Sequence, residues 1–133
     1  MSAKTNQPSG WVGWIGFASL MLFLAGSFHI LAGIVGLFKD DVYLRANGNL
    51  WIFDYSQWGW IHIFGGILAL LAAGSLARGD MFGRTFAVLV ALASAIANMA
   101  FVPVYPIWSI MIITVDILVL WAVMAHGKEV RDL

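Results

Sequence analysis

The sequence contains no cysteine, and this absence excludes several kinds of chemistry. Without thiols the chain forms no disulfides, performs no thiol redox chemistry and offers no thiolate ligand to a metal ion. Charge is also scarce, because charged residues make up 11% of the chain, roughly half the share of an ordinary soluble domain. The formal net charge is zero, so nothing indicates nucleic-acid binding. The scarcity of charge favours a membrane protein.

Three long stretches carry no charge at all: residues 5–38, 55–77 and 85–115. About 20 apolar residues are enough to cross a bilayer as a helix, and the third stretch is too long for one helix. Pro103 and Pro106 divide it, because proline lacks an amide donor and disfavours helix in the residue before it. The first stretch is too long for the apolar part of a signal peptide, so we expect it to be retained.

The sequence therefore predicts an all-α membrane protein, a bundle of four transmembrane helices in a single integral membrane domain, residues 1–133. The helices are predicted near residues 11–38, 55–77, 84–102 and 107–126. We expect the last helix to end at His126 and Gly127, followed by a solvated tail, because glycine commonly terminates helices.

Basic residues divide unequally between the two sides of such a bundle. One side collects Lys4, Arg78, Arg84, Lys128 and Arg131, and the other has only Lys39 and Arg45. The positive-inside rule then places both termini in the cytoplasm. The outer loop, residues 39–54, contains Asn47-Gly48, the dipeptide that a type I′ hairpin turn favours. We predict a short hairpin there.

Two helices carry the same phrase, GSFHILAGIVGL from Gly26 and GWIHIFGGILAL from Gly59, with six of twelve positions identical. Each phrase places a histidine, His29 or His62, between small residues at spacings of three and four, on one face of its helix. Small residues let helix backbones approach closely in lipid. The pattern predicts two closely packed helices, and an inverted repeat is an alternative origin of the likeness.

Each predicted helix contributes one strong hydrogen-bonding side chain in the outer half or at the midplane, and Tyr105 adds a phenol at the outer rim. The four side chains are His29, His62, Asn98 and Asp116. An ionised aspartate at the centre of a membrane helix costs roughly 2.5–3.5 kcal/mol. We therefore expect Asp116 to be neutral and to take part in a buried polar cluster or ligand-binding site.

The order of motifs in the second half resembles a family of small four-helix bacterial membrane proteins of unknown function. The pattern is Trp-Gly-Trp-Ile-His, here Trp58 to His62, then Asn98, Pro103, Tyr105, Pro106, Trp108 and Asp116. His29 does not belong to that pattern. The resemblance implies a multi-pass protein of the bacterial cytoplasmic membrane and supplies no activity.

Three functional hypotheses follow. The first is a non-catalytic accessory or scaffold subunit of a membrane complex, or a homo-oligomer, with lipids and other membrane chains as partners. The second is a site for haem b, a quinone or a lipid, with His29 and His62 as axial imidazoles if the ligand is haem. The third is proton or small-solute transport through a relay of His62, Asn98 and Asp116.

The sequence offers no motif for soluble-type catalysis. It has no Ser–His–Asp order with supporting loops, no paired catalytic carboxylates and no phosphate-binding glycine loop. It has no cluster of metal ligands either. We therefore do not expect an enzyme.

Overall fold

The computed structural model describes residues 9–133, which form four long helices and one β-hairpin. In chain order the elements are α1 (Trp11–Leu37), β1 (Val42–Ala46), β2 (Asn49–Phe53), α2 (Tyr55–Ala77), α3 (Met81–Phe101) and α4 (Pro106–Arg131). All four helices are long and apolar enough to cross a membrane. The predicted all-α class with four membrane-spanning helices is confirmed. Lys4, one of the basic residues used to predict orientation, lies outside the described residues.

The connections between α2, α3 and α4 are tight, and local chemistry explains both. Gly79 follows α2 with a φ of 73°, a left-handed conformation that glycine adopts without strain. Its N–H donates to the carbonyl of Leu76 at 2.9 Å. Pro106 is the first residue of α4, where its missing N–H costs nothing. The predicted division at the proline pair is therefore confirmed.

The predicted end of the last helix at Gly127 is wrong, because α4 continues to Arg131. Gly127 is buried, and a Cβ there would overlap the side chain of Arg84. That side chain crosses α4 at this point and donates from Nε to the carbonyl of Val123 at 3.2 Å. Gly127 thus makes room for an arginine from α3 instead of ending the helix.

The chain divides into two compact units, each described by itself. The four-helix unit contains the described residues up to Leu22 together with Leu71–Leu133, and the helix-pair unit is Phe23–Leu70. One hydrophobic core occupies the four-helix unit and draws on all four helices. It consists of Ile15, Ala18, Leu22, Ala72, Ala73, Leu76, Ala87, Ala91, Val119, Ala122, Val123 and Val130.

Two serines of the four-helix unit join its helices by hydrogen bonds. The hydroxyl of Ser19 donates to the carbonyl of Ala73 at 2.7 Å, which ties α1 to α2. The buried hydroxyl of Ser75 accepts a hydrogen bond of 2.9 Å from the N–H of Gly83. This N–H belongs to the first turn of α3, whose leading amides have no partner within the helix. Ser75 therefore satisfies a donor that burial would otherwise penalise.

The predicted hairpin is present in the helix-pair unit. Strands β1 and β2 pair antiparallel, with Ala46 opposite Asn49 and Val42 opposite Phe53. Asn47 and Gly48 form the turn with φ values of 52° and 79°, the positive values that a type I′ turn requires. Every residue of both strands is exposed.

Candidate functional site

The repeated phrase forms the contact between α1 and α2 in the helix-pair unit. A Cβ added at Gly26 would lie 2.7 Å from the carbonyl oxygen of Gly66, and one added at Gly33 would lie 2.5 Å from that of Gly59. The reciprocal additions at Gly59 and Gly66 would lie 2.7 Å and 2.6 Å from the carbonyls of Gly33 and Gly26. The predicted close packing is confirmed, and we call these four residues the glycine seam.

The seam brings His29 and His62 together between its two glycine pairs. Their ring centroids are 5.2 Å apart. The first glycine of each phrase meets the glycine seven positions along the other, Gly26 with Gly66 and Gly59 with Gly33, and each histidine meets its counterpart, so the contacts are related by a local two-fold. Such reciprocal packing accounts for the likeness of the phrases, because both helices fill the same positions of one interface.

The seam does not fit a haem held between the two imidazoles. A porphyrin would have to enter between His29 and His62, but the backbones of α1 and α2 touch on either side of them. His62 Nδ1 donates to the carbonyl of Trp58 at 2.9 Å, which leaves Nε2 as its acceptor. Among residues 9–133 no group of three or more His, Asp and Glu side chains could hold a metal ion. The residues around His29 and His62 therefore do not fit a haem.

A continuous series of aromatic rings connects the hairpin to the histidine pair. Ring centroids are 4.8 Å apart for Phe53 and Tyr55, 6.3 Å for Tyr55 and Trp58, and 3.9 Å for Trp58 and His62. Such distances lie at or slightly below the range in which aromatic pairs attract each other. The predicted family motif at Trp58 thus forms the link between the strand end and the seam.

A second group of predicted residues lines a cleft in the four-helix unit, where α3 turns into α4. The cleft has a volume of about 450 Å³ and is lined by Asn98, Phe101, Tyr105, Trp108 and Ser109. Asn98 is half-buried and donates from Nδ2 to the carbonyl of Ser94 at 2.9 Å. Tyr105 and Trp108 are exposed at its rim. We call this the α3–α4 cleft.

Sequence reasoning missed Ser109, the most buried member of the cleft. Ser109 is 1% exposed, and its hydroxyl has no hydrogen-bonding partner among residues 9–133. Serine in an apolar helix usually bonds a carbonyl of its own helix, as Thr114 does with Ile110 at 2.8 Å. No local signal distinguishes the two side chains, because the burial of Ser109 depends on the approach of α3.

Asp116 lies two helical turns beyond Ser109, on the same face of α4. It is half-buried, the hydroxyl of Ser94 is its hydrogen-bonding neighbour, and Oδ2 has no partner in the described part of the chain. Ser94 therefore links Asp116 to Asn98. The predicted cluster of His62, Asn98 and Asp116 stays a prediction, because His62 belongs to the helix-pair unit and the other two residues to the four-helix unit.

A further polar group, also missed, ties the start of α1 to the end of α4. Glu129 accepts hydrogen bonds from the Ser9 hydroxyl at 2.7 Å and from Nδ1 of His126 at 2.6 Å. The imidazole of His126 also stacks on Trp11, with centroids 5.7 Å apart. The tail after His126 is therefore an ordered part of the four-helix unit, in contrast to the predicted solvated end. The spacing of His126 and Glu129 was the only local signal.

Comparison with known proteins adds a family assignment and no activity. No curated protein and no solved structure matches the chain. One family model does match, over residues 14–128, and its description is a domain of unknown function, DUF7144. This agrees with the predicted resemblance to an uncharacterised family. With most of its length covered by that model, this multi-pass membrane chain belongs to the DUF7144 family.

Proposed function

We propose that this chain is a non-catalytic integral membrane protein that works by association with other membrane chains, as an accessory or scaffold subunit of a membrane complex or as a homo-oligomer. The proposal rests on the hairpin, because every residue of both strands is exposed. Leu44 and Trp51 face each other on one side of it, and Tyr43 and Ile52 on the other. All four side chains are more than half exposed.

Both sides of the hairpin are therefore apolar, whereas a hairpin that only faces water needs one polar side. A two-stranded hairpin alone is marginally stable in water, so its exposed side chains need a partner. The two free edges differ. Strand β1 carries Arg45, but β2 contains no charged residue. An uncharged apolar edge strand readily pairs with another strand.

We assign the free edge of β2 to a second copy of the chain. Two β2 strands that pair antiparallel form a four-stranded sheet with two-fold symmetry, the commonest symmetry of oligomers. Main-chain hydrogen bonds would supply the affinity and the exposed side chains Leu50 and Ile52 the specificity. Ser27 and Thr114 each donate to a carbonyl of their own helix, which supports a structural role for these two side chains.

Native mass spectrometry of the protein, extracted from its own membranes in a mild detergent, tests this assignment. Ile52→Lys places a charge on β2 and should give monomers, whereas wild type gives dimers. Leu44→Lys is the matched control, because Leu44 is 58% exposed and Ile52 59%, and each faces an aromatic residue. Foreign subunits lost only in Ile52→Lys would indicate the accessory form. A wild-type monomer would contradict the proposal.

We further propose the bacterial cytoplasmic membrane as the location, with both termini in the cytoplasm. The basic residues beside α2, α3 and α4 support this orientation. Because the chain has no cysteine, single cysteines report topology without background. In intact cells an impermeant maleimide should label Asn47→Cys and should label Asp132→Cys only after lysis. The reverse pattern would invert the proposed orientation.

A further inference from the structure

We infer that Arg84 and Arg131 bind the headgroup of an anionic phospholipid, at the place where the connection between α2 and α3 packs on the end of α4. Nothing in the proposed association requires this site, because the hairpin precedes α2 and this surface follows it. The starting observation is the half-buried side chain of Arg84. Its guanidinium donates to the carbonyls of Val123 at 3.2 Å and Met124 at 3.5 Å, which carry no full negative charge.

Arg131 lies on the same face of α4, one turn beyond the point that Arg84 reaches. Arg84 crosses α4 at Gly127, where a Cβ would overlap its side chain. Residues four apart share a helix face, so Gly127 and Arg131 face the same way. Gly79 packs there too, because its Cβ would lie 2.6 Å from Cγ of Arg131 and 3.0 Å from the carbonyl oxygen of Gly127. The fold thus brings cations from two different helices to one surface.

Neither of these two arginines has a carboxylate partner. Among residues 9–133 no carboxylate oxygen lies within 4 Å of a side-chain nitrogen of Arg84 or Arg131. Arg78 of the same connection, by contrast, is paired with Asp80 at 3.0 Å. Residues 1–8 contain no Asp or Glu that would serve instead. Two guanidinium groups without counter-charge favour an anion with several acceptor oxygens, and a phosphate group provides them.

The position of the surface at the membrane boundary favours a lipid over a soluble anion. Residues 117–127 of α4 contain no Asp, Glu, Lys or Arg, and the charged end of the helix begins at Lys128. Arg84 therefore lies level with the headgroups, where basic pockets between helices bind anionic lipids. Met81, one turn before Arg84, and Met124 are 66% and 65% exposed. Acyl chains can lie against these apolar side chains, which offer nothing to a free phosphate ion.

A titration of phosphatidylglycerol into the full-length protein in one detergent tests the site, with native mass spectrometry measuring the Kd of the first bound lipid. Phosphatidylcholine with the same acyl chains should bind about tenfold more weakly. Arg84→Gln and Arg131→Gln should each raise the Kd for phosphatidylglycerol about tenfold, the loss typical of one charge-assisted hydrogen bond. Lys128→Gln is the matched control, because it removes the same charge from an exposed position about 100° around α4 from Gly127. It should change the Kd less than about twofold.

Melting temperatures of the lipid-free proteins separate binding from folding. Arg131→Gln should melt like wild type, because Arg131 is exposed, and it keeps the test decisive where Arg84→Gln unfolds. Equal affinity for the two lipids would overturn the inference. Equal weakening by Arg131→Gln and Lys128→Gln would reduce the binding to a general effect of charge and overturn it too. So would displacement of the lipid by an equal concentration of inorganic phosphate.

The same spectra distinguish this site from the hairpin contact. Arg131→Gln should lose the lipid and keep the dimer, whereas Ile52→Lys should lose the dimer and keep the lipid. Loss of the lipid in Ile52→Lys would place the lipid at the contact between copies and overturn the assignment to Arg84 and Arg131.

Discussion

In the helix-pair unit α1 and α2 touch through their backbones, whereas the four-helix unit has a core of buried side chains from all four helices. The glycine seam has carbonyl oxygens where side chains would otherwise lie. The other unit instead buries Ile15, Leu76 and Val123 almost completely. Hydrophobic driving force is absent between helices in lipid, so both arrangements depend on close contact.

The difference teaches which kind of change each unit tolerates. A side-chain core loses contacts when a residue becomes smaller, and its neighbours relax only in part. A seam of glycines has no side-chain atoms that a substitution could remove, but it has no space for added atoms. The glycine seam should therefore fail from added atoms, and the side-chain core of the four-helix unit from cavities.

The largest effect is expected from a cavity in the four-helix unit. Leu76 is 0% exposed, so Leu76→Ala should lower the free energy of unfolding by about 2–5 kcal/mol. Leu71→Ala is the control on the same helix, because Leu71 is 60% exposed and should cost far less. Unfolding in a denaturing detergent, followed by circular dichroism, measures both. Equal losses would show that side-chain packing does not hold this unit.

A single methyl group should break the seam of the helix-pair unit. The Cβ of Gly66→Ala would meet the Gly26 carbonyl at 2.6 Å, and we expect a loss of about 1–3 kcal/mol. Gly65→Ala differs by one position and has no atom within 4 Å of the new Cβ. It should be neutral or stabilising by up to about 1 kcal/mol, because alanine favours helix. The same unfolding assay compares them, and similar results for both would contradict the close contact.

Removal of one hydroxyl tests the hydrogen bond at the start of α3. Ser75→Ala leaves the buried N–H of Gly83 without its acceptor, so we expect a loss of about 1–2 kcal/mol. Restoration of a hydroxyl by Ser75→Thr should recover part of it. Amide exchange at Gly83 should be fast in Ser75→Ala only. Unchanged exchange would mean that Ser75 does not protect this amide.

The smallest effect on global unfolding is expected at the hairpin turn. Gly48 has a φ of 79°, so Gly48→Ala should strain the turn by about 1 kcal/mol. Because the hairpin has few buried contacts, this should appear as faster exchange of hairpin amides and not as a lower global stability. Asn47→Gly keeps the turn geometry accessible and serves as control. A large global loss would show that the hairpin supports the helices.

The framework of the fold was predictable because it rests on local signals. Uncharged stretches predicted the helices, the proline pair predicted the turn after Val102, and Asn47-Gly48 predicted the hairpin. Gly127 shows where such signals fail. Glycine occurs both at helix ends and beneath crossing side chains, and only the position of Arg84 from another helix distinguishes the two cases.

The candidate site was predictable only in part, for the same reason. Depth along each helix singled out Asn98 and Asp116, and the outer aromatic rim singled out Tyr105. Of these, Asn98 and Tyr105 line the α3–α4 cleft. Ser109 gave no signal, because its burial arises from packing between helices. The contact of Ser9 with Glu129 joins residues 120 positions apart, and no local pattern encodes that separation.

The joint between β2 and α2 has a mechanical consequence. A single residue, Asp54, separates Phe53 from Tyr55, and its carboxylate accepts from the N–H groups of Ser56 and Gln57. Four residues, by contrast, lie between Leu37 of α1 and Val42 of β1. The hairpin is thus joined to α2 through one residue and to α1 through four. A partner that displaces the hairpin would therefore act first on the start of α2, where Trp58 and His62 lie.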